Sequence, residues 1–192
     1  MVFSTIEFLF QFLPIFLVGY YLTPPRYRNV TLVAGSLIFY AIGSGWYTLL
    51  LILSALINYT LSHAITRAKV RDPHRAKLLF ILGLIYDFGM LVVFKYTNFL
   101  IGNLNGLLSV FHVSLPAAKL ILPLGISFYT FQVTSYLIDV YTKKVRPASS
   151  LLELGTFVCM FPQLISGPIT NFGEMQPQIQ KRRINATMLE DG

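Results

Sequence analysis

The sequence predicts an all-α polytopic membrane protein, with about five transmembrane helices, an interfacial helix and a re-entrant broken helix. Three observations carry that expectation. The 192 residues are 55% hydrophobic and only 12% charged, where a soluble domain carries about 25% charged residues. The apolar residues gather in runs near bilayer-crossing length, about 20 residues for a helix. The 15 Lys and Arg lie in short segments between those runs, the pattern that keeps basic loops on the cytoplasmic side. The formal charge of +7 is therefore an orientation signal. No aromatic-basic surface module accompanies it, so nucleic acid is excluded as a partner. The single cysteine, Cys159, excludes an intrachain disulfide framework.

Residues 3–22 form the first span. No positive n-region precedes this run and no small-residue cleavage site follows it, so it is a retained helix rather than a cleaved signal peptide. Glu7 lies near its outer end, within reach of water, and Pro14 is placed to kink it. Pro24, Pro25, Arg26 and Arg28 close it. Residues 29–42 are a shorter second span, and 43–46 a tight turn with Trp46 and Tyr47 as interface anchors. Residues 46–65 are the third span, followed by Arg67, Lys69, Arg71, Arg75 and Lys77 against Asp72. The fourth span, 78–94, ends at Lys95, which can snorkel to the headgroups. Residues 96–113 are less apolar and hold Asn98, Asn103, Asn105 and His112. Residues 120–141 are the next full span, closed by Lys143, Lys144 and Arg146. An apolar segment at 151–169 is broken by Pro162, Gly167 and Pro168. Residues 171–192 are polar and include Lys181, Arg182 and Arg183.

Parity orders these runs. The basic loops at 26–28 and 67–77 are separated by two spans, so both face the cytoplasm and the N-terminus lies outside. The cluster at 143–146 shares that side only if 96–113 does not cross, which assigns 96–113 to the outer interface or a shallow dip. Basic residues flank 151–169 on both sides, so that segment enters and leaves on one face. Such broken backbone survives in a bilayer only where protein buries it or where it lines a cavity. No internal repeat, low-complexity tract or linker divides the chain, which is one membrane domain.

Polar residues inside the spans are the candidates for chemistry. Asp87 lies mid-span, at a depth where an ionisable group is expensive. It is either a substrate or proton contact, or a hydrogen-bonded group facing other helices. Asp139 is either a site residue or an interfacial ion pair with Lys143. Ser127, Tyr129, Gln132 and Tyr136 fall roughly on one side of their helix. They either line a tunnel or join helices by hydrogen bonds. Gln163 brings an amide, which needs a partner, into the broken segment. Gly167 and Pro168 supply the backbone geometry of its tip. His63, His74 and His112 are spaced for no metal site, and there is no Gly-rich phosphate loop or nucleophile elbow. The residues alone thus describe a channel-like scaffold without a catalytic constellation. A transporter or channel subunit, or a structural export partner, would share these features.

Three stretches carry a family resemblance. FKYTNF at 94–99 resembles an FKYxNF segment, LPLGISFYTFQVTSYLIDVY at 122–141 a distinctive helix, and FPQLISGPITNFGEMQPQ at 161–178 an FPQLxxGPI segment with its following Pro-Gln. Together they resemble the membrane-bound O-acyltransferase (MBOAT) family, nearest to its bacterial alginate O-acetyltransferase branch. The D-alanyl transfer protein of teichoic acid synthesis is a more distant cousin.

The resemblance implies a multi-pass protein of the bacterial cytoplasmic (inner) membrane that relays an acyl group through a tunnel. No cofactor or metal is held. The donor is a cytoplasmic acyl-CoA such as acetyl-CoA. The acceptor is a hydroxyl of an exported polysaccharide or of a periplasmic or extracellular acyltransferase partner. Ser127, Tyr129, Gln132, Tyr136, Gln163, Gly167 and Pro168 would belong to the tunnel or funnel. The family's histidine, a general base for the hydroxyl, falls beyond the FPQLxxGPI segment, and none of His63, His74 and His112 matches it. Residues 1–192 therefore correspond to the N-terminal portion of one such domain, with no catalytic residue in this chain and no turnover expected from it alone. Asp87 stands where the family leads one to expect Asn.

Overall fold

The computed structural model describes residues 6–108, 116, 122–166 and 170–180. All secondary structure among them is helical. A π-helical turn, Phe8–Phe12, leads into α1, Leu13–Leu22. Pro14 sits in the first turn of α1, so the widened turn ahead of it accommodates the missing N–H and the run continues as a helix. Helix α2, Arg28–Ser44, ends at Gly45, whose φ of 56° starts the turn into α3, Thr48–Arg71. Asp72 then caps α4, Pro73–Leu108, through its Oδ1, which accepts from the backbone N–H groups of His74 and Arg75 at 3.0 and 3.1 Å. An Asp cap followed by proline at the first helical position is a strong helix start.

Helix α4 does not end at Lys95. Its 36 residues extend about 54 Å at 1.5 Å each, well beyond a hydrocarbon core of roughly 30 Å. The asparagines at 98, 103 and 105 change the helix's surroundings, and without a proline nothing there breaks its backbone ladder. Residues 109–113, His112 among them, lie outside the described residues.

The next helix is shorter than the sequence implies. Helix α5 covers Ile126–Tyr141. Ahead of it, Pro123 removes a donor and Gly125 takes a φ of 68°. A Cβ on Gly125 would lie 2.5 Å from the carbonyl oxygen of Leu164, so glycine is required there for space as well as conformation. The non-helical backbone is nonetheless satisfied. Tyr40 donates its hydroxyl to the Leu124 carbonyl at 2.7 Å, and the Leu124 N–H donates to Ser44 Oγ at 3.3 Å.

The broken segment comprises α6, Leu151–Cys159, and α7, Phe161–Ser166, followed by α8, Phe172–Gln180. The described break is at Met160, one residue before the Phe161-Pro162 start of α7. Gly167 and Pro168 lie outside the described residues. Helix α6 is the centre of the molecule. Its residues from Glu153 to Cys159 are all buried, and it packs on α2, α3, α5, α7 and α8. Tyr40, Tyr129, Val133, Tyr136, Leu154, Phe157 and Phe172 fill the main core around it.

Outside that core the apolar surface points outward. The stretches Pro25–Arg71 and Pro73–Gly106 are long and apolar enough to cross a membrane, and only 22% and 17% of their most apolar windows are buried. A helix serving as the core of a soluble protein would bury most of that window. These outward faces, with Ile85, Val93 and Phe99 among them, mark a membrane protein, with lipid as the solvent for the apolar side chains. Lipid offers no hydrophobic drive between helices, so close approach must hold them together. At the crossing of α4 with α5, a Cβ on Gly83 would meet Leu137 Cδ2 at 2.4 Å, and glycine lets the helices touch.

Candidate functional site

Two polar regions arise from this packing. The first is a seam where α3, α4 and α5 meet. Asp87 of α4 is buried there, with a relative exposure of 1%. Asn58 of α3 donates through Nδ2 to Asp87 Oδ1 at 2.8 Å, and Thr134 of α5 donates through Oγ1 to Oδ2 at 3.3 Å. Asp87 thus faces other helices and ties three of them together. Further along, Tyr136 donates its hydroxyl to Ser62 Oγ of α3 at 2.8 Å and accepts from the Ala148 N–H at 3.0 Å. Phe172 of α8 stacks edge-on against the Tyr136 ring at 4.8 Å, which links the seam to the broken segment.

The first half of α5 is different. The Tyr129 hydroxyl, Thr130 Oγ1 and Gln132 Oε1 are buried and have no hydrogen-bond partner among the described residues. Tyr129 sits within electrostatic reach of Tyr40 and Tyr86, and the Tyr86 hydroxyl is equally unpartnered. Ser127 is half-buried. The face shared by Tyr129, Gln132 and Tyr136 is therefore a buried face.

The second region is a cavity of about 700 Å³ between α1, α2, the start of α7 and α8. Tyr20, Tyr21, Met160, Phe161, Gln163, Met175 and Gln178 are among its lining. Phe161 fixes one wall. Its ring packs edge-on against Phe16 at 5.1 Å and Phe12 at 5.7 Å, and its N–H donates to Ser36 Oγ of α2 at 3.2 Å. The Met160 break is thus anchored by side chain and backbone together. Gln163 faces the cavity with an open acceptor. Its Nε2 donates to the Met175 thioether at 3.4 Å, while its buried Oε1 has no partner among the described residues. Thr170 also donates to that sulfur, at 3.1 Å. A thioether is a weak acceptor, so the amide is held in place without being used up.

One buried carboxylate not singled out from the sequence ties α6 to α8. Glu153 is buried in α6, and its Oε2 accepts from the Ser149 N–H at 2.7 Å and from the Ser149 hydroxyl. Its Oε1 accepts from Gln180 Nε2 of α8 at 2.8 Å. The signal was present as Ser150-x-x-Glu153, a capping box, with Ser150 Oγ accepting from the Glu153 N–H at 3.1 Å. Asp139 also departs from expectation, because its ion pair is with Lys144, at 3.8 Å, and not with Lys143. Lys143 occupies the left-handed turn that ends α5, and this swings Lys144 back over the carboxylate.

Of the described histidines, neither lines the cavity, and His63 Nδ1 lies 3.5 Å from Ser62 Oγ, the seam hydroxyl that pairs with Tyr136. His63 Nδ1 pairs with the Tyr59 carbonyl oxygen at 3.0 Å, and His74 is exposed in the first turn of α4. Among the described residues no group of three His, Cys, Asp or Glu could hold a metal ion.

Comparison with known proteins bears out the resemblance carried by the three motifs. The chain is 39% identical over 187 residues to the probable alginate O-acetylase AlgI of Azotobacter vinelandii, covering 95% of this chain and 36% of that protein. It is 38% identical over 193 residues to the protein of the same name from Pseudomonas aeruginosa, covering 100% of this chain and 37% of that one. It is 34% identical over 212 residues to the peptidoglycan O-acetyltransferase of Helicobacter pylori, covering 95% and 39%. The chain thus spans little more than a third of the length of these relatives. No family model matches it, and no solved structure does.

Proposed function

We propose that this chain, a relative of the alginate O-acetylases over nearly its whole length, forms part of a membrane-bound O-acyltransferase that acetylates an exported polysaccharide. The observation that carries the reading is that near-complete match to proteins named for O-acetyl transfer. The chemistry is the attack of a sugar hydroxyl on the acyl carbon of a thioester. The C–O bond forms as the C–S bond breaks, the hydroxyl proton passes to a base, and the thiol leaves. No described histidine lines the cavity, so this chain binds and positions, and the base comes from elsewhere in the working protein.

The cavity suits the donor end of that relay. Its volume lies in the range of small-molecule sites, roughly 300–1,000 Å³. It is mostly apolar, with Gln163 and Gln178 as the amides able to orient a thioester or an amide of an acyl-CoA arm. Arg28 follows α1 and stacks on Tyr20 at 5.5 Å, so the orienting basic residues put the Tyr20 end of the cavity at the cytoplasmic face. In this reading the chain crosses the inner membrane about five times. Helices α6 and α7, at nine and six residues, are each too short to span it and form the re-entrant dip. Tyr129 and Gln132, with their open polar atoms, continue the path toward the acceptor.

The test is a chimera. The matching segment of the Pseudomonas aeruginosa relative is replaced by this chain, and acetyl content is measured on the secreted alginate. Restored acetylation supports the reading. A chimera that inserts at normal levels and leaves alginate unacetylated overturns it.

A further inference from the structure

A second concavity lies away from the acyl-transfer cavity, at the ends of α3 and α5. It has a volume of about 470 Å³ and its lining includes Lys69, Lys143, Lys144 and Arg146, with Thr66, Val140 and Val145 as its floor. Among the described residues no carboxylate lines it. Asp139 reaches Lys144 from outside the lining. Among the described residues, Lys69, Lys143 and Arg146 have no carboxylate in ion-pair range. We propose that this pocket binds a phosphate group, as a site distinct from the proposed donor cavity and independent of that function.

Three features separate it from an ordinary basic loop. The first is fixation. The Lys69 ammonium donates to the Tyr141 carbonyl and lies 4.4 Å from the centre of the Tyr141 ring, so this cation is held in place rather than waving in solvent. The second is crowding. Lys69 and Lys143 line the same hollow, and two ammonium groups that share it without an anion repel one another. An anion between them removes that repulsion. The third is backbone. Lys143 has a φ of 63°, making it the one described non-glycine residue with positive φ. Glycine would occupy that helix end without strain, yet the position carries a cation. A neighbouring basic hollow, lined by Arg67, Arg71 and Arg75, shows the contrast. Asp72 lines it and supplies its own counter-charge.

The shared chemistry is a phosphate mono- or diester. It reaches this end of the helices either as the headgroup of an anionic lipid or as a soluble phosphate. Clustered cations beside a membrane helix attract anionic lipid at about fivefold in affinity per charge.

Two arms distinguish the sources, both with the full chain. In the first, the protein is extracted in mild detergent with phosphatidylglycerol, and retained lipid is counted by native mass spectrometry. In the second, the protein sits in phosphatidylcholine nanodiscs and is titrated with inorganic phosphate against chloride at equal ionic strength, read as a shift in melting temperature. Binding in the first arm alone assigns a lipid headgroup, in the second alone a soluble phosphate, and in both the phosphate group itself. Each supports the site, and binding in neither overturns it.

In the arm that binds, Lys143→Gly with Arg146→Gln should weaken binding about 25-fold, two charges at about fivefold each. The glycine relieves the strained backbone, so the variant should fold. Lys143→Arg should keep binding within about threefold. Arg71→Gln with Arg75→Gln removes the same charge outside the pocket and should also stay within about threefold. Equal losses from the two charge-removing pairs would mean diffuse attraction only, and the proposal would fall.

Discussion

The C-terminal half of α5 and the start of α7 bury the same kinds of side chain and use them in opposite ways. In the first region Asp87 and Tyr136 are fully engaged and closed, while the Asn58 Oδ1 beside them is buried without a partner among the described residues. Both oxygens of Asp87 accept, and the Tyr136 hydroxyl donates and accepts at once. In the second, Gln163 keeps a buried acceptor open beside a cavity and rests its donor on a sulfur. Buried polar groups are nearly always paired, so an unpaired one calls for an explanation. The closed groups join helices in a medium that supplies no hydrophobic drive. The open ones are available to something that enters.

Three substitutions would break or sharpen that contrast. The largest stability loss is expected from Asp87→Ala, which leaves one Asn58 N–H and the Thr134 hydroxyl unpaired in the core while the other Asn58 N–H keeps the Ser54 carbonyl, at a cost of about 2 kcal/mol. Reversible unfolding in bicelles would measure it, and Asp87→Asn should recover most of the loss because an amide oxygen still accepts from Asn58. A wild-type midpoint for the alanine variant would show that the seam does not join the helices. Next comes Tyr136→Phe, which leaves the Ala148 N–H unpaired while keeping the ring against Phe172, at about 1 kcal/mol by the same measurement. The smallest effect belongs to Gln163→Ala. Its stability should change by less than about 0.5 kcal/mol, since only a weak thioether contact is lost. In the chimera, however, alginate acetylation should fall about tenfold, the cost of one orienting hydrogen bond to the reacting donor. Unchanged acetylation would remove Gln163 from the donor path, and a large stability loss would place it with the closed groups.

Much of this was legible from the chain itself. The polar face of α5 was visible in the spacing of Tyr129, Gln132 and Tyr136, but not the division along it. Whether a hydroxyl is used depends on what the facing helix offers. Ser62 stands opposite Tyr136, 74 residues away in sequence, while Tyr129 has no such partner. The broken segment was visible in Pro162. The break itself lies two residues earlier, at Met160, because Ser36 receives the Phe161 N–H and phenylalanines of the π-helical turn, α1 and α2 surround its ring. The early start assigned to α5 failed for a similar reason. An apolar run does not disclose that Gly125 must pass beneath the Leu164 carbonyl.

What the sequence determined alone was the solvent and the class: helices, with runs long and apolar enough for lipid around them. Those properties are sums over a run of residues, since the transfer of apolar length and charge between water and lipid depends little on distant parts of the chain. The tertiary structure decided which polar groups are satisfied, where helices stop, and where a cavity remains. Each of those is a property of a pair, and the pairs that matter here, such as Tyr40 with Leu124 and Ser36 with Phe161, are 84 and 125 residues apart.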